Sequence, residues 1–264
     1  MYLASLHTYP LKSGMGLTWQ QQAIHPYGLQ DDRCWMVVDD HGMALTAREH
    51  PLLVLVQIAQ HAGQWQVQAP NMPTLTLNLH DWCTPIDVEL WLKPVLAQAG
   101  PRDADDWFSR YLGVPCRVCY IGEAPARRVE GESDLPIGFA DGFPLLILGE
   151  GSLKDLNLRL KTPAELARFR PNLFIAGAEA YEEDHWKVIR VGEVEITLHS
   201  PCPRCILTTV NPENGLKHAA DEPLSTLTTY RIGYRGVHFG MNAFTRQHGV
   251  LQVGDPVEVL EWDF

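Results

Sequence analysis

The chain has 264 residues, enough for one large or two modest domains with a sizeable core. Hydrophobic residues at 45% and charged residues at 20% are ordinary globular usage, which excludes collagen-like, low-complexity and disordered classes. With 32 acidic against 21 basic residues the formal net charge is -11, which argues against general binding to nucleic acid or anionic membrane, because phosphates must be neutralised by Lys and Arg.

The first residues carry neither a charged n-region followed by a long apolar stretch nor a small-residue cleavage site, so no export signal is expected. The longest apolar runs, 52–56 and 144–148, fall far short of the roughly 18 to 20 residues that span a bilayer. Strands are predicted at 3–9, at 33–39 with Trp35, Val37 and Val38, and at 43–47 after the hairpin-like turn Asp39-Asp40-His41-Gly42. Runs 52–59, 65–67 and 75–79 continue the pattern, each bounded by turn residues, so the first half reads as a β-rich barrel or curled sheet.

At 101–112 the rhythm changes: Trp107, Phe108, Tyr111 and Leu112 recur at helical spacing, Asp103, Asp105 and Asp106 crowd the start, and Gly113 stops it. A strand at 116–122 and a polar, acidic stretch at 123–134 follow, which predicts a linker and a division into domains 1–122 and 123–264. The second half opens with a helix at 152–160, capped by Ser152 and faced by Leu153, Leu156, Leu158 and Leu160. Pro163 and Leu166 suggest a further short helix. Strands are then predicted at 173–175, 186–191, 194–199, 206–210 and 256–260, with no fixed-period repeat. The fold class is therefore mainly β with a few helices.

Six cysteines are too sparse for a small disulfide scaffold and point to a reducing cytoplasm with thiols available for chemistry. Two CxxC pairs, Cys116/Cys119 and Cys202/Cys205, raise a four-thiolate zinc reading. In a strand, positions three apart face opposite ways, so the first pair reads as ordinary core and surface cysteine; Cys34 and Cys83 read as structural. In Ser200-Pro201-Cys202-Pro203-Arg204-Cys205 two prolines predict a rigid non-helical loop after a strand. A dithiol enzyme would place its thiols at a helix N-terminus, whereas residues 206–210 look strand-like. A single thiolate serving as metal ligand beside the Arg204 cation fits better.

These residues carry a resemblance. Phe169-Arg170-Pro171-Asn172, Glu183-Asp184-His185-Trp186, Cys202-Pro203-Arg204-Cys205 with Ile206-Leu207-Thr208-Thr209, and Val253-Gly254-Asp255-Pro256-Val257 resemble the MOSC domain, the C-terminal domain of molybdenum cofactor sulfurases. Tyr9-Pro10-Leu11-Lys12-Ser13, Asp32-Arg33-Cys34-Trp35 and Thr46-Ala47-Arg48 resemble the β-barrel domain that precedes it. The pairing is similar to the mitochondrial amidoxime-reducing component and its bacterial relatives, over nearly the whole chain. The resemblance implies an N-terminal β-barrel-like domain followed by a MOSC β-barrel domain. It also implies a molybdenum–molybdopterin cofactor with Cys205 as the protein ligand and catalytic residue, and Cys202 as a neighbour. Lys12, Ser13, Arg33, Arg170 and Asn172 match the family's cofactor-binding positions; Arg204, and Arg48 less directly, are further candidates.

The reaction implied is two-electron reduction of N-hydroxylated or N-oxide compounds in the cytoplasm, with His199 a weak candidate proton donor. Larger bacterial relatives append a plant-ferredoxin-type domain after the point where this chain ends, Glu261-Trp262-Asp263-Phe264. The expectation is therefore no iron-sulfur cluster here and electrons from a separate ferredoxin- or flavoprotein-like donor. At Asp141-Gly142-Phe143-Pro144 the chain lacks the Thr and Ser of the mitochondrial relatives, which puts a hydroxyl contact there in doubt. Two other readings stand beside this one: a carrier of the cofactor or of sulfur that turns over no substrate, and a zinc or dithiol protein using both CxxC pairs.

Overall fold

The computed structural model describes residues 1–122, 125–234 and 236–263. Strand β1 (Tyr2–Thr8) leads to β2 (Leu17–Trp19), β3 (Gln21–His25) and β4 (Gly28–Leu29). The chain then builds a four-stranded antiparallel sheet from β5 (Trp35–Val38) and three later strands, interrupted by a small sheet of β6 (Gln57–His61), β7 (Gln64–Gln68) and β8 (Leu75–Leu77). The hairpin β9 (Thr84–Leu90) and β10 (Lys93–Ala99) turns at Trp91 and Leu92, both at positive φ, and was not read from the sequence. Helix α1 (Arg102–Leu112) ends on Gly113 in the left-handed conformation, with Asp103 and Asp105 in its first turn, as its composition predicts. Strand β11 (Arg117–Tyr120) completes the sheet beside β5.

The expected division at Glu123 lies outside the described residues. The stretch read as a linker instead forms the hairpin β12 (Arg128–Val129) and β13 (Glu132–Pro136), whose Val129 and Leu135 pack with Phe244. Then come β14 (Leu145–Gly149), α2 (Glu150–Arg159), β15 (Leu173–Ala176), β16 (Trp186–Val191), β17 (Val194–Pro203), α3 (Leu224–Leu227), β18 (Ile232–Gly233), β19 (Gly236–Phe244), β20 (Gly249–Gln252) and β21 (Val257–Trp262). A nine-stranded sheet runs β2-β1-β15-β14-β19-β17-β16-β21, with β18 on β19. Leu3 exchanges backbone hydrogen bonds with Asp255 and Gly254, just before β21, so the sheet curls until its two ends meet.

Three local expectations give way to tertiary contacts. Residues 52–59 are a 3-10 turn, Pro51–Leu55, before β6, because proline at its first position presets the backbone. Residues 43–47 join the sheet only by single bridges, Val38 to Ala44 and Met43 to Glu89. Ser152 does not cap α2: the helix begins two residues earlier, and the Ser152 hydroxyl is taken by the buried Glu183, which also accepts the Gly149 N–H. Glu183 thus holds the start of α2 from 34 residues away.

Two main cores result. One gathers Trp35, Trp65, Trp82, Phe108 and Phe139, with Trp35 edge-on to Trp82 at 4.6 Å. The other packs Leu3, Leu6, Ile24 and Leu29 with Leu145, Ile175, Trp186 and Ile196, so the first thirty residues belong largely with the later strands. The chain crosses between the cores at 6–11, 29–34, 139–145 and 198–210.

Candidate functional site

Those crossings are where the site lies. Lys12, Ser13, Arg33, Arg48, Asp141, Arg170, Asn172, Cys202, Arg204 and Cys205 line one cleft, enclosing about 850 Å³ including its open mouth. The structure therefore brings together every cofactor-binding and metal-ligating residue expected from the sequence, though not His199, from segments up to 193 positions apart (205 − 12). It adds Trp91 from the unread hairpin. The signal was present: Val88 and Leu90 alternate before Trp91-Leu92, and Val95 and Ala97 after it.

Each cation is held by defined partners. The Lys12 ammonium, only 6% exposed, donates to the Phe139 carbonyl at 2.9 Å and to the Asp141 carboxylate. Burial pulls its pKa down, and Asp141 opposes that. The Ser13 hydroxyl accepts the Ala47 N–H at 3.1 Å. Arg33 donates to Asp32, to Asn172 Oδ1 at 3.1 Å and to the Arg170 carbonyl at 3.2 Å. Arg170 donates to the Gly14 carbonyl, and Arg33 and Arg170 both lie against the Tyr9 ring, at 4.4 and 4.2 Å. Desolvation, then repulsion from Arg33, draws Arg170 down to about 10. Buried Asn172 fixes this corner by accepting the Leu146 N–H and donating to the His7 carbonyl.

Ser13, Arg33 and Arg170 all have positive φ, at 66°, 47° and 55°. Non-glycine residues adopt that region at a cost, which concentrates at ligand-holding sites. Gly138 shows the same tightness, since a Cβ there would stand 2.7 Å from the Arg33 carbonyl oxygen.

The thiols sit opposite. Strand β17 runs through Pro201 and Pro203 with bulges, pairing Pro201 with Met241 and Pro203 with His238, so the expected loop is a strand end. Residues 206–209 are a 3-10 turn rather than a strand. The Thr208 and Thr209 hydroxyls donate to the Cys205 and Ile206 carbonyls, drawing this β-branched segment into a turn. Cys205 Sγ accepts from Arg48 Nε at 3.3 Å, and Cys202 Sγ from Arg204 Nη1 at 3.2 Å. Burial pushes the Cys202 thiol up. Arg48, weighted least among the cations in the sequence, is thus the side chain that reaches Cys205. It also lies 4.3 Å from the Trp91 ring, whose Nε1–H reaches Asp141.

The donor set fits an anionic, metal-bearing organic cofactor. Five cations and one carboxylate line the cleft of a chain whose net charge is -11. Arg204 Nε is buried with no partner among the described residues, a donor that a ligand would satisfy.

The four-thiolate reading fails. Cys116 and Cys119 are both buried in the first core, bonded to Ser109 and to the Met36 carbonyl, which also corrects the expectation that one is exposed. Among the described residues no group of three or more His, Cys, Asp or Glu side chains converges. His199 packs on Phe143 at 4.4 Å and does not line the cleft.

Residues 1–115 match the MOSC N-terminal beta barrel domain and residues 134–258 match the MOSC domain. The chain belongs to the MOSC family. This MOSC protein is 33% identical to the mitochondrial amidoxime reducing component 2 of Rattus norvegicus, over 94% of the chain and 80% of the relative. It is 32% identical to the mitochondrial amidoxime-reducing component 1 of Danio rerio, over 97% and 83% respectively. The mitochondrial amidoxime reducing component 2 of Homo sapiens is 31% identical, over 97% and 82%. Among the described residues no helix is long and apolar enough to cross a membrane.

Proposed function

We propose that this MOSC protein reduces N-hydroxylated compounds, amidoximes among them, at a molybdenum–molybdopterin cofactor held in the cleft. The observation that carries the reading is Cys205, contacted by Arg48 and with Cys202 beside it, facing a cleft of five cations in an acidic protein. The relatives' names, amidoxime-reducing components, supply the reaction class.

Cys205 would be the single protein ligand to the metal. Lys12, Arg33, Arg170 and Arg204 would hold the phosphate and pterin edges by charge-assisted hydrogen bonds, with Ser13 and Asn172 fixing their orientation. When bound, the cofactor supplies the two electrons that cleave the N–O bond, the oxygen leaving as water with two protons. The protein's own contribution is placement: Asp141 steadies Lys12, and the Trp91 ring lies against the Arg48 guanidinium. The electron donor is a separate protein, and the proposed compartment is the cytoplasm, where all six thiols stay reduced.

The test is to express the chain in a host that makes the cofactor. Molybdenum content, fluorescence of the oxidised pterin, and reduction of benzamidoxime by a reduced dye are then measured. One molybdenum per chain with turnover is the expected result. Cofactor without turnover would favour a carrier, and bound zinc with no molybdenum would overturn the reading.

A further inference from the structure

Strands β3 and β20 pair antiparallel with Gly249 opposite Ile24, so the next pair along places His248 opposite His25. Their Nδ1 atoms stand 3.0 Å apart, with the rings edge to face. Backbone register, rather than side-chain chance, sets this juxtaposition.

The protonation pattern of His25 follows from its neighbours. The Gln30 amide nitrogen donates to the Asp31 carboxylate at 2.8 Å, a group that only accepts, so Gln30 presents its carbonyl oxygen to His25 Nε2, 2.9 Å away. His25 therefore carries its hydrogen on Nε2 and aims the lone pair of Nδ1 at His248. Metal-binding histidines are held in the same manner, the far ring N–H donating to a carbonyl or carboxylate that fixes the tautomer. Tyr27 stacks on the His25 ring at 4.8 Å, adding a second restraint on its plane.

We propose that His25 and His248 form a binding site for one divalent transition metal of tetragonal preference, Ni2+ or Cu2+, separate from the cleft. At a metal–nitrogen distance of about 2.1 Å, two neighbouring ligands stand about 3.0 Å apart at a right angle and about 3.4 Å apart at the tetrahedral angle. The observed 3.0 Å is the length of the metal-free hydrogen bond, so either angle needs only a small shift of the exposed His248, and the rise of imidazole-site affinity through Ni2+ to Cu2+ favours these two ions. Without metal, one Nδ1 must donate to the other, and His25 is the acceptor. With metal, the exposed His248 shifts its hydrogen to Nε2, both Nδ1 lone pairs face the ion, and no net proton is released. Two nitrogens are the protein's share, since no third His, Cys, Asp or Glu joins them among the described residues; water fills the remaining positions. The ion would staple an N-terminal strand to a C-terminal one.

The test is calorimetric titration of Ni2+ into the untagged protein. The expected result is one site per chain, at least tenfold weaker in His25→Ala and in His248→Ala. Gln30→Leu, which removes the tautomer-fixing acceptor together with the contacts of Gln30 to Asp31 and Tyr27, should weaken it by roughly tenfold or more while both histidines remain. Ni2+ should raise the melting temperature of the wild type and not that of His248→Ala. Electron paramagnetic resonance of the Cu2+-loaded wild type should show coupling to two nitrogens, a readout that needs no variant to fold. Equal Ni2+ affinity in wild type and His248→Ala, or fewer than two coupled nitrogens, would mean that the pair is a histidine–histidine hydrogen bond and nothing more.

Discussion

Replacing Arg170 with methionine should leave the ligand-free protein as stable as the wild type or more stable by up to about 2 kcal/mol, while cofactor retention collapses. The folded-state pKa of Arg170 is about 10 against an ordinary 12.5, through desolvation first and Arg33 second. Because the folded value lies below the unfolded one, the stability linked to this group is present above the unfolded value and lost as pH falls through about 10. At neutral pH the charge is therefore carried at the full cost, about 3 kcal/mol.

A second route gives the same scale. Both guanidinium carbons lie against the Tyr9 ring, at 4.4 and 4.2 Å, so they are at most 8.6 Å apart (4.4 + 4.2). At an effective dielectric of about 20 their repulsion is about 2 kcal/mol or more. Methionine removes that cost but strands the Gly14 carbonyl, worth roughly 1 to 3 kcal/mol, which sets the net range given above. Losing one charge-assisted contact to an anionic ligand weakens binding by roughly 10- to 150-fold. Urea unfolding of the ligand-free form, with pterin fluorescence per chain, measures both quantities. A variant that unfolds in less urea yet keeps its cofactor would refute the reasoning and make Arg170 a structural strut.

Cys205→Ala should abolish molybdenum loading while Cys202→Ala retains it, read by metal analysis; equal loss in both would remove the distinction drawn between ligand and neighbour. Gly138→Ala should cost about 1 to 3 kcal/mol and lower cofactor content together, because the new Cβ displaces the backbone that carries Arg33. Chemical unfolding with pterin fluorescence checks both. Glu183 is held above the ordinary carboxyl range by burial, against the donors Ser152 and Gly149. Its contribution to stability is complete below the unfolded carboxyl value and declines as pH rises through the raised folded value. In Glu183→Gln that part of the pH dependence of unfolding should vanish, and persistence of the same slope would show that other groups cause it.

The sequence by itself determined the mainly β class, helix α1 with its acidic start and glycine stop, and, through motifs that resemble the family's, Lys12, Ser13, Arg33, Arg170, Asn172, Arg204 and Cys205 of the cleft. Those features are local: a capping pattern or a short motif is written in neighbours along the chain. Tertiary structure decided what the neighbours could not. Ser152 looks like a cap until Glu183 takes its hydroxyl, and residues 206–209 look like a strand until their threonines turn back on the carbonyls before them. Arg48 and Trp91 carry no pattern that ties them to Cys205, and His25 and His248 are 223 positions apart. Periodicity reports which face of an element is apolar, but only the crossing of one chain between two cores decides which polar side chains meet. Here five cations and two thiols meet beside those crossings, Arg33 and Arg204 on the crossing segments and Lys12, Arg48 and Arg170 reaching in from outside them, because charged groups are tolerated inside only where partners meet them.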